Sequence, residues 1–469
     1  MGYCKPGRGT EKDTAEATRL VLCLTYMLAD PARDQTFVDG TKTYPPEANN
    51  LRTWAQLSRL LQRPWFERLW VIQEISVSQR AMVLCGRYML LWSQLEAAAG
   101  YILRPSGIPP KYHVQKILPL MGAHRATQVS LNSIWNIDEK SILTILHSTQ
   151  ETKCLDLRDK LFAILGIVKD KEDIEIDYSI PVEQVYRNWA EKRIRRTQTL
   201  DILSACADST RSGDLPSWVP DLRRSFGQDK PLWIFSHITG YKHILKDVWK
   251  SEADRTCQDL YFSPDGSALT VKGHQVGSIA HLSTIGDVVN NLQNPTDLND
   301  RLQEILVDWE RTANNAVSSS SAWTFRKDLF QKAILRDSEP WCSSIEDIHQ
   351  AYDKWACVAD RIGERGPEQR LRRMANRELE RFLFPRVHGC QIFATSDEIH
   401  ENAGAVAANC RAQVGDELWI LTGGLTPFVL RRVSATTHRP ISPCYLYANM
   451  GCIAGEKQKT AVLRRVMLV

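Results

Sequence analysis

The sequence predicts a mixed α+β chain, and three observations carry that reading. Apolar residues recur at helical spacing through the first third and much of the middle. The period changes abruptly at Leu260, where strand-like runs flank an Asp-Gly turn. From Phe382 onward, short β-like stretches alternate with glycine turns. The helical part accounts for residues 87–255 and 285–381, a hairpin segment for 256–284, and a β-rich region for 382–469.

Residues 12–30 open the chain with Ala15, Leu20, Leu22, Cys23, Tyr26 and Met27 at helical spacing, stopped at Asp30-Pro31 because the residue before proline disfavours the helix region. Trp54, Leu57, Leu60 and Leu61 mark a second amphipathic helix. Pro64 suits a first helical position, and the spacing predicts a third helix running through Val77 with Trp65, Phe66, Leu69 and Trp70 near its start, a set that would form a core if packed together. On that packing, Trp70→Ala should cost about 3–5 kcal/mol. Ala81–Cys85 reads as a short strand ended by Gly86. Glu172–Asp177 alternates acid and isoleucine, as an edge strand would. Asp201–Ala207 is expected to be helical, whereas Leu215–Asp221, with prolines at 216 and 220, is not. Leu260–Phe262 and Leu269–Val271, joined through Asp265-Gly266, predict a hairpin, and Val276–Ile279 adds strand character. In the tail, Leu418–Leu421 and Phe428–Leu430 should pair antiparallel across Gly423-Gly424, with Trp419 at least half buried.

Composition bounds function. The chain has 469 residues, 43% of them apolar and 24% charged, with fourteen Trp, thirteen Tyr and twelve Phe. That is a folding composition, with aromatic content far above that of a disordered tail. Lys plus Arg is 59 and Asp plus Glu is 55, a net charge of +4. Such a balance argues against a nucleic-acid coat or a polybasic membrane anchor. The basic runs at Lys192–Arg196 and Arg370–Arg373 lack interleaved stacking aromatics and read as solvated helix faces. No stretch approaches the ~18 apolar residues of a membrane span, no secretory signal is evident, and Pro6 breaks the myristoylation pattern behind Gly2. The expected location is cytoplasmic, with neither nucleic acid nor membrane as partner. The twelve cysteines form no CxxC pair and read mostly as small buried hydrophobes. No phosphate loop, dinucleotide fingerprint or nucleophile elbow occurs, so no cofactor is expected.

One constellation could carry chemistry. Trp70 and Glu74 are four residues apart and share a helix face, with Phe66 one turn earlier on the expected stripe. A carboxylate beside aromatic surface can bind sugar hydroxyls or stabilise an oxocarbenium-like centre. The blander reading is a surface glutamate beside core aromatics, and spacing alone does not separate the two.

Longer words in the sequence are more specific. Arg63-Pro64-Trp65-Phe66-Glu67-Arg68-Leu69-Trp70-Val71-Ile72-Gln73-Glu74 followed by Leu84-Cys85-Gly86 resembles the closing motif of the fungal heterokaryon-incompatibility (HET) domain. Asp156 to Gly166, Ile176-Asp177-Tyr178-Ser179 and Leu215 to Asp221 resemble segments that follow it in that family. Val414 to Arg431, with Gly455-Glu456, is similar to the family's C-terminal part. The resemblance implies a role in non-self recognition and programmed cell death after hyphal fusion, exerted on an unknown protein partner. It also implies that residues 1–86 are the C-terminal part of a HET domain, the remnant of a TIR-like doubly wound α/β domain. The family's Tyr-Val-Trp-Gly-like and Trp-Ile-Asp-x-x-Cys-Ile-Asn-Gln-like blocks do not occur, so a truncated, non-catalytic member is expected. The alternative implied by TIR-like ancestry is NAD glycohydrolysis. In that case NAD is the substrate, Glu74 the catalytic carboxylate and Trp70 a wall of the pocket.

Overall fold

The computed structural model of the chain describes residues 2–4, 11–29, 50–103, 142–168, 174–206, 213–223, 257–286, 390–395, 403–407, 411–446 and 463–469, a few single positions within these spans excepted, together with short pieces at 37–48 and 304–312. It contains both helices and strands, as expected of a mixed α+β chain. It divides into two compact units, residues 1–178 and 179–469.

In the first unit, strand β1 (Gly2–Cys4) is followed by the Glu11–Ala29 helix. A two-strand ribbon, β2 (Phe37–Val38) and β3 (Thr41–Lys42), leads to the Leu51–Leu61 helix. Asn50 starts that helix by accepting the backbone N–H of Arg52, which satisfies an otherwise orphan donor. Its apolar stripe of Trp54, Leu57, Leu60 and Leu61 is buried together with Leu20, Val21 and Leu24 of the preceding helix. Strand β4 (Met82–Cys85) pairs in parallel with β1 and antiparallel with β5 (Tyr88–Leu91), turning at Gly86. β5 is a strand where helix was expected. A two-residue turn at Gly86-Arg87 brings it back onto β4 before the Trp92–Leu103 helix begins. The unit continues with the Ile142–Thr149 and Asp159–Phe162 helices.

The single helix expected from Pro64 to Val77 is two elements. Pro64–Glu67 is a 3-10 turn, Arg68 is extended at ψ 127, and the α-helix runs from Leu69 to Ser76. The break has a tertiary cause. Leu69 N–H donates to the Lys153 carbonyl at 3.0 Å, and Lys153 N–H donates to the Glu67 carbonyl. The Lys153 ammonium closes the bridge on the Glu67 carboxylate at 2.7 Å. Phe66 therefore leaves the Trp70 stripe and packs edge-on against Trp65, near Trp92. Residues 174–177, the described part of the expected edge strand, have no regular structure and Ile176 is exposed. Alternation suits a strand, but no described strand pairs with this one.

The second unit begins with the Val182–Thr197 helix and a 3-10 helix at Asp201–Ala205, where helix was expected. The buried Arg193 guanidinium binds Asp201 at 2.7 Å across the left-handed Gln198. Leu215–Asp221 is irregular, with Trp218 buried, as its prolines require. The hairpin is present: β6 (Tyr261–Phe262) pairs with β7 (Leu269–Leu282), and Gly266 takes the positive φ of 68° that the turn demands. β7 is continuous through Ile279, so Val276–Ile279 extends that strand instead of starting another.

β8 (Cys390–Thr395), β9 (Ala403–Ala407), β10 (Glu417–Leu421), β11 (Phe428–Arg432), β12 (Thr437–Leu446) and β13 (Arg464–Leu468) complete an eight-stranded sheet. β7 pairs with β10 along one edge, and with β13 and then β8 along the other. β12 likewise joins β11 on one side, and β13 and β9 on the other. The pairings of β7 to β13 close on themselves, and β6 adds to β7 at their margin. The expected β10–β11 hairpin has Leu418 opposite Val429 and Trp419 opposite Phe428, with Trp419 4% exposed. Ile279, Phe393, Leu418, Val429 and Ile441 form the interior cluster. The expected helix over 285–381 and the Arg370–Arg373 run lie almost wholly outside the described residues. Cys85, Cys206, Cys257, Cys390 and Cys444 are buried and form no disulfide among the described residues, as small hydrophobes would.

Candidate functional site

The Leu69–Ser76 helix turns Leu69, Val71 and Ile72 inward, and those three side chains anchor its backbone. Trp70 and Glu74 occupy the opposite face. Trp70 is 37% exposed and Glu74 is exposed, so Trp70 does not take the core packing that its neighbours Leu69, Val71 and Ile72 take. The cause is the extended Arg68. It resets the helix phase so that Leu69, not Trp70, takes the inward position.

Trp70 is nevertheless fixed. Its indole Nε1 donates to Asp159 Oδ2 at 3.0 Å, and the Tyr178 hydroxyl donates to Asp159 Oδ1 at 2.7 Å. One buried carboxylate thus joins a residue of the Pro64-opened segment to two segments far along the chain. Asp159 sits at the start of the short Asp159–Phe162 helix, whose entry is shaped by Asp156. The Asp156 carboxylate accepts the Arg158 backbone N–H at 3.0 Å and its guanidinium at 2.7 Å. That guanidinium holds the Asp156 carboxyl below the usual carboxylate range. Arg158 also donates to the Tyr178 carbonyl and stands over its ring, 5.2 Å from the centroid. Phe162 meets the same ring edge-on at 5.2 Å. Although the Tyr178 ring is 45% exposed, partial desolvation and the bond to Asp159 push its phenol up to about 12.

Two neighbours complete the surroundings. The buried Lys160 ammonium donates to the Gln150 carbonyl at 2.9 Å and to the Thr152 carbonyl. Burial raises the Cys154 thiol, so it is a weak nucleophile. A Cβ at Gly166 would come within 2.6 Å of Gln73 Nε2, the end of a flexible side chain that can swing aside. The Glu74 backbone carbonyl accepts the Ser78 hydroxyl at 2.6 Å.

The sequence reading named Trp70 and Glu74, and the structure places them one turn apart on one exposed face. It missed Asp159 and Tyr178 as members of the same site. Both lie inside the quoted words Asp156–Gly166 and Ile176–Ser179, but nothing in either word announces that they converge. Chemically, the arrangement is an aromatic pair bonded to a buried carboxylate, beside a solvated carboxylate. Among the described residues no group of three His, Cys, Asp or Glu side chains could hold a metal ion. No described helix is long and apolar enough to cross a membrane.

Comparison with known proteins points to one class, the heterokaryon incompatibility proteins. The chain is 21% identical to heterokaryon incompatibility protein 6, OR allele, of Neurospora crassa, over 65% of this chain and 46% of that protein. It therefore spans about half the length of the curated relative it matches. No protein-family profile and no solved structure matches the chain.

Proposed function

We propose that this chain is a heterokaryon-incompatibility-like protein of the cytoplasm. It acts in non-self recognition and cell death by binding a protein partner through the Trp70–Glu74 face. The distant likeness to an incompatibility protein supports the class. The observation that carries the site is the half-exposed Trp70, whose polar atom is already engaged by Asp159 while much of its surface remains in solvent. Exposed tryptophans held in place are favoured anchors of protein interfaces. Such a surface can recognise a partner without any chemistry.

The second reading is NAD glycohydrolysis with Glu74 as the catalytic carboxylate, and the Trp70–Glu74 spacing is what favours it. Positioning of substrate accounts for ~7–11 kcal/mol of such a barrier. Glu74 stands exposed on its helix, with no described group converging on it. Expression of the chain in fungal hyphae, scored for death after fusion, tests the two together with nicotinamide release from NAD by the purified protein. Death abolished by Trp70→Ala, with no nicotinamide release, supports partner recognition. Nicotinamide release abolished by Glu74→Ala establishes the enzyme instead. Death unaffected by both Trp70→Ala and Glu74→Ala removes this face from the function.

A further inference from the structure

We propose that Asp159 is the positioning residue of the Trp70–Glu74 face, holding Trp70 in its outward-facing orientation; this rests on reading that face as the recognition surface. A half-exposed tryptophan at the start of a helix has several staggered rotamers open to it. Holding one of them has an entropic cost that a directed contact must offset. The contact here is a charge-assisted hydrogen bond, indole Nε1 to Asp159 Oδ2 at 3.0 Å.

Asp159 is itself locked, which is what makes it an anchor. Its second oxygen takes the Tyr178 hydroxyl at 2.7 Å, and its backbone N–H donates to the Asp156 carbonyl at 3.1 Å. Tyr178 is held in turn by Phe162 against its edge and Arg158 over its face. The neighbouring cation, Lys160, donates to the carbonyls of Gln150 and Thr152. Among the described residues, the Asp159 carboxylate accepts from the two aromatic donors. The helix backbone under Trp70 is fixed separately, by buried Leu69, Val71 and Ile72. Loss of Asp159 should therefore release the ring without releasing the helix.

The test is 19F NMR of the full chain labelled with 5-fluorotryptophan, the Trp70 resonance being assigned with Trp70→Phe. Exchange of the Trp70 indole N–H is followed in parallel. Asp159→Asn keeps the shape and one acceptor oxygen; Tyr178→Phe removes only the second anchor. In either variant, shown to be folded by circular dichroism, the Trp70 resonance should shift or broaden and the indole N–H exchange about tenfold faster. Asp159→Asn should move it further than Tyr178→Phe. An unmoved Trp70 resonance and unchanged exchange in a folded variant overturn the proposal. Should Asp159→Asn fail to fold, Tyr178→Phe alone decides. A Trp70 resonance that moves in these variants, while Trp70→Ala leaves hyphal death intact, upholds the positioning role and overturns the recognition reading.

Discussion

The same contact occurs in both units and serves different ends. In the first, Asp159 accepts the indole of Trp70 at 3.0 Å; in the second, Glu417 accepts the indole of Trp419 at 2.8 Å. Trp70 is 37% exposed and Trp419 only 4%. Glu417 also takes His438 Nε2 at 3.0 Å on the same oxygen, and the exposed Arg432 guanidinium at 2.6 Å on the other. The His438 ring lies edge-on to Trp419 at 5.5 Å, and its Nδ1 has no hydrogen-bond partner among the described residues. An indole–carboxylate bond is therefore not by itself a mark of function. Inside a closed sheet it satisfies donors that burial would otherwise orphan. On a helix face it fixes a ring that solvent would otherwise leave mobile.

The largest expected effect is on the buried side. Glu417→Ala strips the acceptor from Trp419, His438 and Arg432 at once, and should cost about 3–5 kcal/mol in denaturant unfolding. A loss below about 1 kcal/mol would mean that solvent reaches these donors, and the contrast between the units would collapse.

Next come the two tryptophans themselves. Trp419→Ala removes a fully buried ring and should cost about 3–5 kcal/mol. Trp70→Ala removes a half-exposed ring and one charge-assisted bond, for about 1–2 kcal/mol. Equal losses in thermal or chemical melts would show that Trp70 is a core residue after all, as the sequence suggested.

The sequence made one side of this comparison far more legible than the other. The β10–β11 hairpin was readable because period-2 apolar runs flank Gly423-Gly424, so register follows from local geometry. The 12–30 and 54–61 helices were readable from spacing for the same reason. The helix through Pro64 was misread because its break at Arg68 is set by Lys153, a residue with no local trace in that stretch. Trp70 and Glu74 were found by their spacing. Asp159 and Tyr178 lie inside the Asp156–Gly166 and Ile176–Ser179 stretches, but their meeting is a property of the folded chain that neither stretch announces. The acid–isoleucine alternation before Tyr178 mimicked a strand for want of any sequence signal about pairing partners.

The smallest expected effect concerns pH and sharpens the exposed side. The Tyr178 phenol, ordinarily near 10, is pushed up to about 12 by partial desolvation of its 45%-exposed ring and by its bond to Asp159. The fold thus favours the neutral phenol, because a phenolate could not donate to Asp159 and would face its charge directly. That contribution is fully present below pH 10. It is lost as pH rises from 10 towards 12, where the unfolded chain would release a proton that the folded one retains. Melting temperature should therefore fall across this window in the wild type by slightly more than in Tyr178→Phe, which has no phenol to ionise. In ultraviolet titration, the difference between the two proteins should isolate one tyrosine ionising about two pH units late. Asp159→Asn should bring that late ionisation back towards 10, since it removes the charge facing the phenol. Glu417→Gln, acting on the other carboxylate, should leave it where it was. A Tyr178 ionisation that Asp159→Asn leaves unmoved would mean that Asp159 does not hold the phenol in solution, and that the Trp70 anchor lacks its second tie.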